Sequence, residues 1–401
     1  MTKRFYAKYI INERTVHLIT FLGFIFGFSG ALLTYITSSY FKQVIVTDNI
    51  GFFYIISFSI ILILLFNLNK LIEGFGRART LMTLMILQIA ILFLLQFINI
   101  TISGAVLLML YIILFGVITV VFDIVLEAYS ADAKTGRIRG FFLSVYNFGF
   151  LVGPVSSVYI LQHYGFNGIF FSTMILYIVM FLILFTALND IKGHVKKQSL
   201  SFVQIITKFK NDKNLVNIYW IAFTLRFFYA TMTVFVPLYL REIGFSWGNI
   251  GFIFTIMLVP FIFIEYPVGI LADKKYGEKE MLFIGSVIVA CSTIVMYFIN
   301  SKELWIWMSI LFVSRIGAAL LETMQDSYFY KQINENDIAL INFFRSTRAI
   351  GYIASAVFVG IMLYFFGDMK NIFIILSIIF VIGLYPIIKL VDTVPEFKNK
   401  M

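Results

Sequence analysis

The chain has 401 residues, 61% of them hydrophobic and 13% charged, with a formal net charge of +10. No water-soluble domain of this size could hide so much apolar surface, so lipid must cover a large part of it. In a soluble protein so basic a balance would raise the question of nucleic acid, but here Lys and Arg sit in short loops between apolar runs, where they fix topology, and no nucleic-acid partner is expected.

The N-terminal stretch MTKRFYAKYIINERTVH is basic, and the apolar run after it is about 22 residues long. That is too long for a signal-peptide core and no small-residue cleavage site follows, so it reads as an uncleaved first helix. Twelve runs long enough to cross a bilayer follow in order, at roughly 17–38, 48–68, 80–98, 104–128, 139–161, 168–188, 215–239, 249–271, 281–299, 304–327, 341–364 and 371–392. With both termini in the cytoplasm, Lys and Arg fall on or near the inner face, except Lys42, Arg241, Lys302 and Lys370 outside and Arg226 and Arg315 within spans. The expected location is therefore the plasma membrane, crossed many times, with both ends inside.

The longest loop, about Asn189 to Asn214, is polar and carries six lysines. It divides the spans six and six, and the halves repeat each other. NLNKLIEGFGRARTLM (Asn67 to Met82) and YPVGILADKKYGEKEM (Tyr266 to Met281) each place a charged, glycine-containing hinge between two apolar runs, so that Glu73 matches Asp273. LEAYSAD from Leu126 resembles LETMQD from Leu321. The expected fold is an all-α membrane protein with twelve transmembrane helices in two pseudo-symmetric six-helix bundles, at 1–188 and 215–401, joined by a basic cytoplasmic linker at 189–214.

Cys291 is the sole cysteine, and His17, His163 and His194 are far apart in sequence, so neither a disulfide within the chain nor a metal site is expected. No phosphate-binding Gly-Lys-Ser/Thr loop is present and no paired acid–base motif marks a membrane enzyme. No cofactor is expected, and energy must come from an ion gradient or from the substrate's own.

The hinge Gly269-Ile-Leu-Ala-Asp273-Lys274-Lys275-Tyr276-Gly277 resembles the Gly-x-Leu-Ala-Asp-basic-x-Gly loop of the major facilitator superfamily of secondary transporters, with one extra residue before the last Gly. In the first copy Asn69 replaces the leading Gly, Glu73 the Asp and Gly74 the basic residue, while Gly76 and Arg77 match. In the fifth span Gly149-x-x-x-Gly153-Pro154 resembles part of the signature of that family's proton-coupled drug exporters, with Ser157 and Val158 where the signature has Gly-Gly. Small residues four apart also let membrane helices pack closely whatever is transported.

Seven charged residues fall within spans: Asp123, Glu127, Arg226, Glu265, Arg315, Glu322 and Asp326. Each costs on the order of 2.5–3.5 kcal/mol at a helix centre unless it pairs, ionises differently or meets water. Asp123 and Glu127 share a helix face, and Arg315, Glu322 and Asp326 form a stripe down another. The family resemblance implies that the first, fourth, seventh and tenth helices line a central cavity, which places Asp123, Arg226 and Arg315 on it. It also implies an inner gate in which Arg77 pairs with Glu127, Glu73 lies near Arg345, and Asp273 and Lys274 meet Glu322, close to Asp326; static pairing of helix ends is the other reading of those groups.

Asp123 and Glu265 are candidates for proton coupling or, alternatively, permanent partners of Arg226 or Arg315. Tyr35, Phe223, Arg226, Phe227 and Arg315 are candidates to line a pocket for an amphipathic or anionic molecule. What the resemblance implies is a proton-coupled exporter of small amphipathic molecules, acting as a monomer by alternating access. A proton symporter for a nutrient, and a non-transporting sensor on the same scaffold, are the alternatives.

Overall fold

The computed structural model describes residues 13–45, 50–129, 135–186, 202–271, 277–333 and 338–391; the side chains of some residues within its helices, Glu73 and Glu127 among them, lie outside that description. Among the described residues the fold is built of α-helices: α1 Glu13–Thr34, α2 Thr37–Val44, α3 Gly51–Phe75, α4 Arg77–Leu95, α5 Ile102–Tyr129, α6 Thr135–Thr186, α7 Phe202–Asn211, α8 Lys213–Val234, α9 Val236–Glu242, α10 Trp247–Leu271, α11 Gly277–Phe298, α12 Leu304–Gln332, α13 Ile338–Phe366 and α14 Ile372–Lys389. Helices are what hydrocarbon permits, because each backbone N–H and C=O then finds its partner within the same segment.

Ten stretches are long and apolar enough to cross a membrane, and one of them, in α6, has 43 residues. That is two spans in succession: at Gly165 the backbone leaves the helix at φ 64°, ψ −164°. With α6 divided there and the apolar Gly51–Leu65 part of α3 added, the twelve expected segments are present. The first and seventh are each broken near the end. α1 stops at Thr34 and α2 resumes at Thr37, while α8 stops at Val234 and α9 resumes at Val236 with Pro237 in its first turn. Proline has no N–H to give to the preceding turn, so a helix starts afresh there.

Positive-φ glycines set the breaks. Gly76 (φ 83°) separates α3 from α4 and Gly277 (φ 73°) opens α11, so both charged hinges turn on a glycine in the left-handed region. Gly165 (φ 64°) and Gly367 (φ 68°) do the same before the sixth and twelfth spans.

The helices group into two compact units, one from the described residues of Met1–Thr34 and Asn67–Lys196, the other from those of Tyr35–Phe66 and Lys197–Met401. The dividing line thus falls inside α3. In the first unit α1 and α6 meet along a seam of small residues. A Cβ on Gly149 would lie 2.4 Å from the Phe24 carbonyl oxygen, and one on Gly153 2.1 Å from the Ala31 Cβ. Ser157, one turn on, donates to the Leu32 carbonyl at 2.8 Å. Phe26 of α1 is buried beside these contacts, stacked on Phe115 and Phe122 of α5.

In the second unit α11 and α12 cross where Gly285 and Gly317 face each other, and α8 packs on α13 at Gly351, whose Cβ would sit 2.9 Å from Arg226. Part of the expected linker is helix: Phe202, Ile205 and Phe209 in α7 recur at helical spacing, and Phe209 is buried against Phe343 with ring centroids 4.6 Å apart. Asp212 ends that segment and caps α8, accepting from the Asn214 and Leu215 amides.

Replacing Gly153 by Val should cost about 1–3 kcal/mol by overpacking, read as a lowered unfolding midpoint in detergent. Gly74→Ala, where a Cβ meets nothing within 4 Å, should be neutral or stabilising by up to about 1 kcal/mol. Equal midpoints for the two variants would refute a tight α1–α6 seam.

Candidate functional site

Four of the seven charges within spans, Arg226, Arg315, Glu322 and Asp326, converge in the second unit. Arg226, midway along α8, donates through Nη1 to Glu322 Oε1 of α12 at 3.0 Å. One turn beyond Arg226, the Tyr229 hydroxyl donates to the other oxygen, Oε2, at 2.7 Å. Both carboxylate oxygens of Glu322 are thus held by α8. Asp326, one turn along α12, adds its field to Arg226. The pair is about three-quarters buried, with side-chain exposures of 24% and 28%. Such a pair survives in an apolar setting only with its remaining donors and acceptors satisfied, and Tyr229 supplies one of these bonds.

Arg315 lies two turns before Glu322 on the same helix and is 2% exposed. Its guanidinium carbon stands 4.9 Å from the Phe228 ring centroid and 5.6 Å from that of Tyr229. Its Nη2 points at the Met257 sulfur of α10 at 3.8 Å, and its Nε has no hydrogen-bond acceptor among the described residues. Tyr35, in the turn that separates α1 from α2, is within electrostatic reach of Arg315 and packs on Phe254 with centroids 4.8 Å apart. Tyr352 of α13 is within the same reach and stacks on Phe58 of α3 at 4.0 Å.

Of the residues singled out in the sequence, the structure therefore brings together Tyr35, Arg226, Arg315, Glu322 and Asp326. Phe227 is directed at Phe358 of α13 and Phe223 at Trp220, which is exposed at the unit's periphery. Glu265 of α10 and Asp123 of α5 are each half-buried. Arg345 is half-buried on α13 and Arg77 half-buried at the start of α4, next to Gly76. Asp273 and Lys274 lie outside the described residues, as do the side chains of Glu73 and Glu127; Gly269 opens the last stretch of α10, whose side chains are likewise not described.

Sequence reasoning passed over a second buried acid. Glu278 follows Gly277, is 1% exposed, pairs with Lys331 at the end of α12 and accepts from Ser327 at 3.1 Å. Around it, Lys279 donates to the Leu390 carbonyl at 2.9 Å and Tyr328 to the Val391 carbonyl at 2.7 Å, which ties the ends of α11, α12 and α14 together. The signal was present in the sequence as a glutamate in the first turn of a helix, the N-terminal position that favours an anion. Met257 was also passed over, since it carries no charge to mark it.

The sequence pattern of the Major Facilitator Superfamily matches residues 18–347 and 248–400. Three similar proteins, each a "Multidrug resistance protein MdtG", come from Salmonella arizonae, Salmonella schwarzengrund and Salmonella newport; each is 26% identical over 211 residues, 51% of this chain and 51% of the relative. The chain thus spans about half the length of the curated relatives it matches.

The geometry of the ion pair makes a double-mutant cycle informative. Arg226→Gln or Glu322→Gln alone should destabilise by about 3–5 kcal/mol because each leaves a buried charge uncompensated. The double variant should recover part of that, with a coupling of about 1–3 kcal/mol. Unfolding midpoints in detergent that simply add would rule the pair out.

Proposed function

The chain belongs to the Major Facilitator Superfamily, and from that premise we propose that it is a secondary transporter which exports small amphipathic organic molecules against a proton gradient. The observation that carries this reading is an ionised pair, Arg226 and Glu322, with a tyrosine hydroxyl on the free carboxylate oxygen, midway along helices that otherwise suit lipid. Such groups are expensive in hydrocarbon and mark substrate or ion pathways. The relatives named for multidrug resistance, and the partial exporter signature at Gly149, Gly153 and Pro154, favour export over nutrient uptake.

The mechanism proposed is alternating access by two six-helix halves, residues 1–188 and 215–401, joined by the segment 189–214, with both termini in the cytoplasm and the monomer as the working unit. Tyr35, Arg226, Arg315, Glu322 and Asp326 supply the polar part of the pathway. Asp123 and Glu265 are the proposed proton-coupling acids: each can take up a proton where its carboxylate loses a basic partner and release it where that partner returns. Glu73, Arg77, Glu127, Asp273, Lys274 and Arg345, with Glu322 and Asp326, are the proposed inner gate, closed by charge pairing about the Gly76, Gly269 and Gly277 hinge glycines.

Purified protein in liposomes tests this. A fluorescent amphipathic solute should show counterflow without a gradient and accumulate when an imposed pH difference drives it. Asp123→Asn and Glu265→Gln should lose the pH-driven component and keep counterflow. Absence of counterflow by the unaltered protein would dismiss the transporter reading, and gradient-driven flux intact in both variants would remove those acids from the coupling role.

A further inference from the structure

Arg315 stands out in the polar cluster because its charge is not matched. Arg226 has Glu322 in contact and the field of Asp326. Arg315, more deeply buried, has no carboxylate in hydrogen-bond contact among the described residues: Glu322 acts on it only at a distance, with both oxygens already engaged by Arg226 and Tyr229. What surrounds it is two aromatic faces and a thioether. Sulfur is a weak acceptor, and cation–π contacts offset only part of the loss of hydration. A water molecule could accept from Nε, but it would leave the charge uncompensated.

We infer that Arg315 anchors the anionic group of the transported molecule, and that the substrate class is an amphipathic organic anion with a planar apolar body. The inference rests on the transport reading for its biological sense and deepens it by naming the ligand. Arg presents a planar fork matched to a carboxylate, which two parallel N–H···O bonds can hold. Met257 occupies the acceptor position at Nη2, and its unbranched, flexible side chain can swing aside at small cost and leave that place to a carboxylate oxygen. The Phe228 and Tyr229 rings flank the guanidinium, and aromatic neighbours of this kind stack on the planar body of a ligand. Glu322 and Asp326 are turned to Arg226, so the charge nearest such a ligand is that of Arg315, and this disfavours the lipophilic amines that an all-carboxylate pocket would select.

The test is equilibrium binding to the purified full-length protein, without any gradient, of three probes that share one ring system: 2-naphthoate, 2-naphthamide and 2-naphthylmethylammonium. Naphthoate should bind, and the other two should bind at least about tenfold more weakly, as expected when a charge-assisted bidentate contact is lost. Arg315→Gln should weaken naphthoate by about tenfold or more and erase the preference. Met257→Leu, which keeps the volume and removes the competing sulfur, should retain the preference for the anion. The probe series on the unaltered protein decides the matter even if Arg315→Gln does not fold. Amide or ammonium binding as tight as naphthoate, no naphthoate binding at all, or wild-type naphthoate affinity in Arg315→Gln would overturn the inference. Naphthoate binding without counterflow in liposomes would instead overturn the transport reading and leave the anion site standing.

Discussion

Hydrocarbon offers a polar group neither a hydrogen-bond partner nor a counter-ion, and the features that matter in this protein answer to that constraint. The backbone answers it with helices whose bonds close within each segment. Where a helix has to stop, a glycine at positive φ or a proline in the first turn of the next helix takes the strain. The side chains answer it with pairing: Glu322 has one oxygen on Arg226 and the other on Tyr229, and Glu278 is buried between Lys331 and Ser327. The site arises where those answers are incomplete, at Arg315, whose guanidinium is enclosed by rings and sulfur.

The same constraint explains why the two halves look alike in chain order. Gly76 and Gly277 mark one hinge in each half, Gly165 and Gly367 another, and the first span of each half is broken, at residues 35–36 and at Phe235. A duplicated membrane segment keeps its breaks because each must be built from a residue that tolerates an unusual backbone. The halves differ where function would reside. In the second unit the Arg226–Glu322 pair joins α8 to α12, whereas in the first close packing through Gly149 and Gly153 forms the α1–α6 seam. Packing thus gives a second physical role to residues that also resemble an exporter signature: a side chain at either glycine would collide with α1.

Rigid and adjustable contacts are divided accordingly. Glycine-to-backbone approaches such as Gly285 on Gly317 leave no room for adjustment. Aromatic faces and a methionine around Arg315 are softer, because an unbranched thioether side chain adapts to its neighbours. A transporter needs both kinds: helices that move as bodies, and a binding region that can rearrange between two discrete states.

Hydropathy and the run of Lys and Arg were enough to locate the twelve spans, because the cost of a charge in lipid is large and one-dimensional: it can be read from twenty residues at a time. That cost also singled out Arg226, Arg315, Glu322 and Asp326 as residues needing an explanation. The helical part of the linker was legible only in hindsight, since this ten-residue helix is held by docking Phe209 on α8 and α13 rather than by its own propensity. Partnership was decided by tertiary structure alone. Spacing along α12 sets Glu322 two turns from Arg315, but that it meets Arg226 and Tyr229, 96 and 93 residues away, while Arg315 meets Met257 and Phe228, depends on how α8, α10 and α12 rotate about their axes. That rotation is fixed by where small residues let helices approach, a property of pairs of helices that no single segment carries.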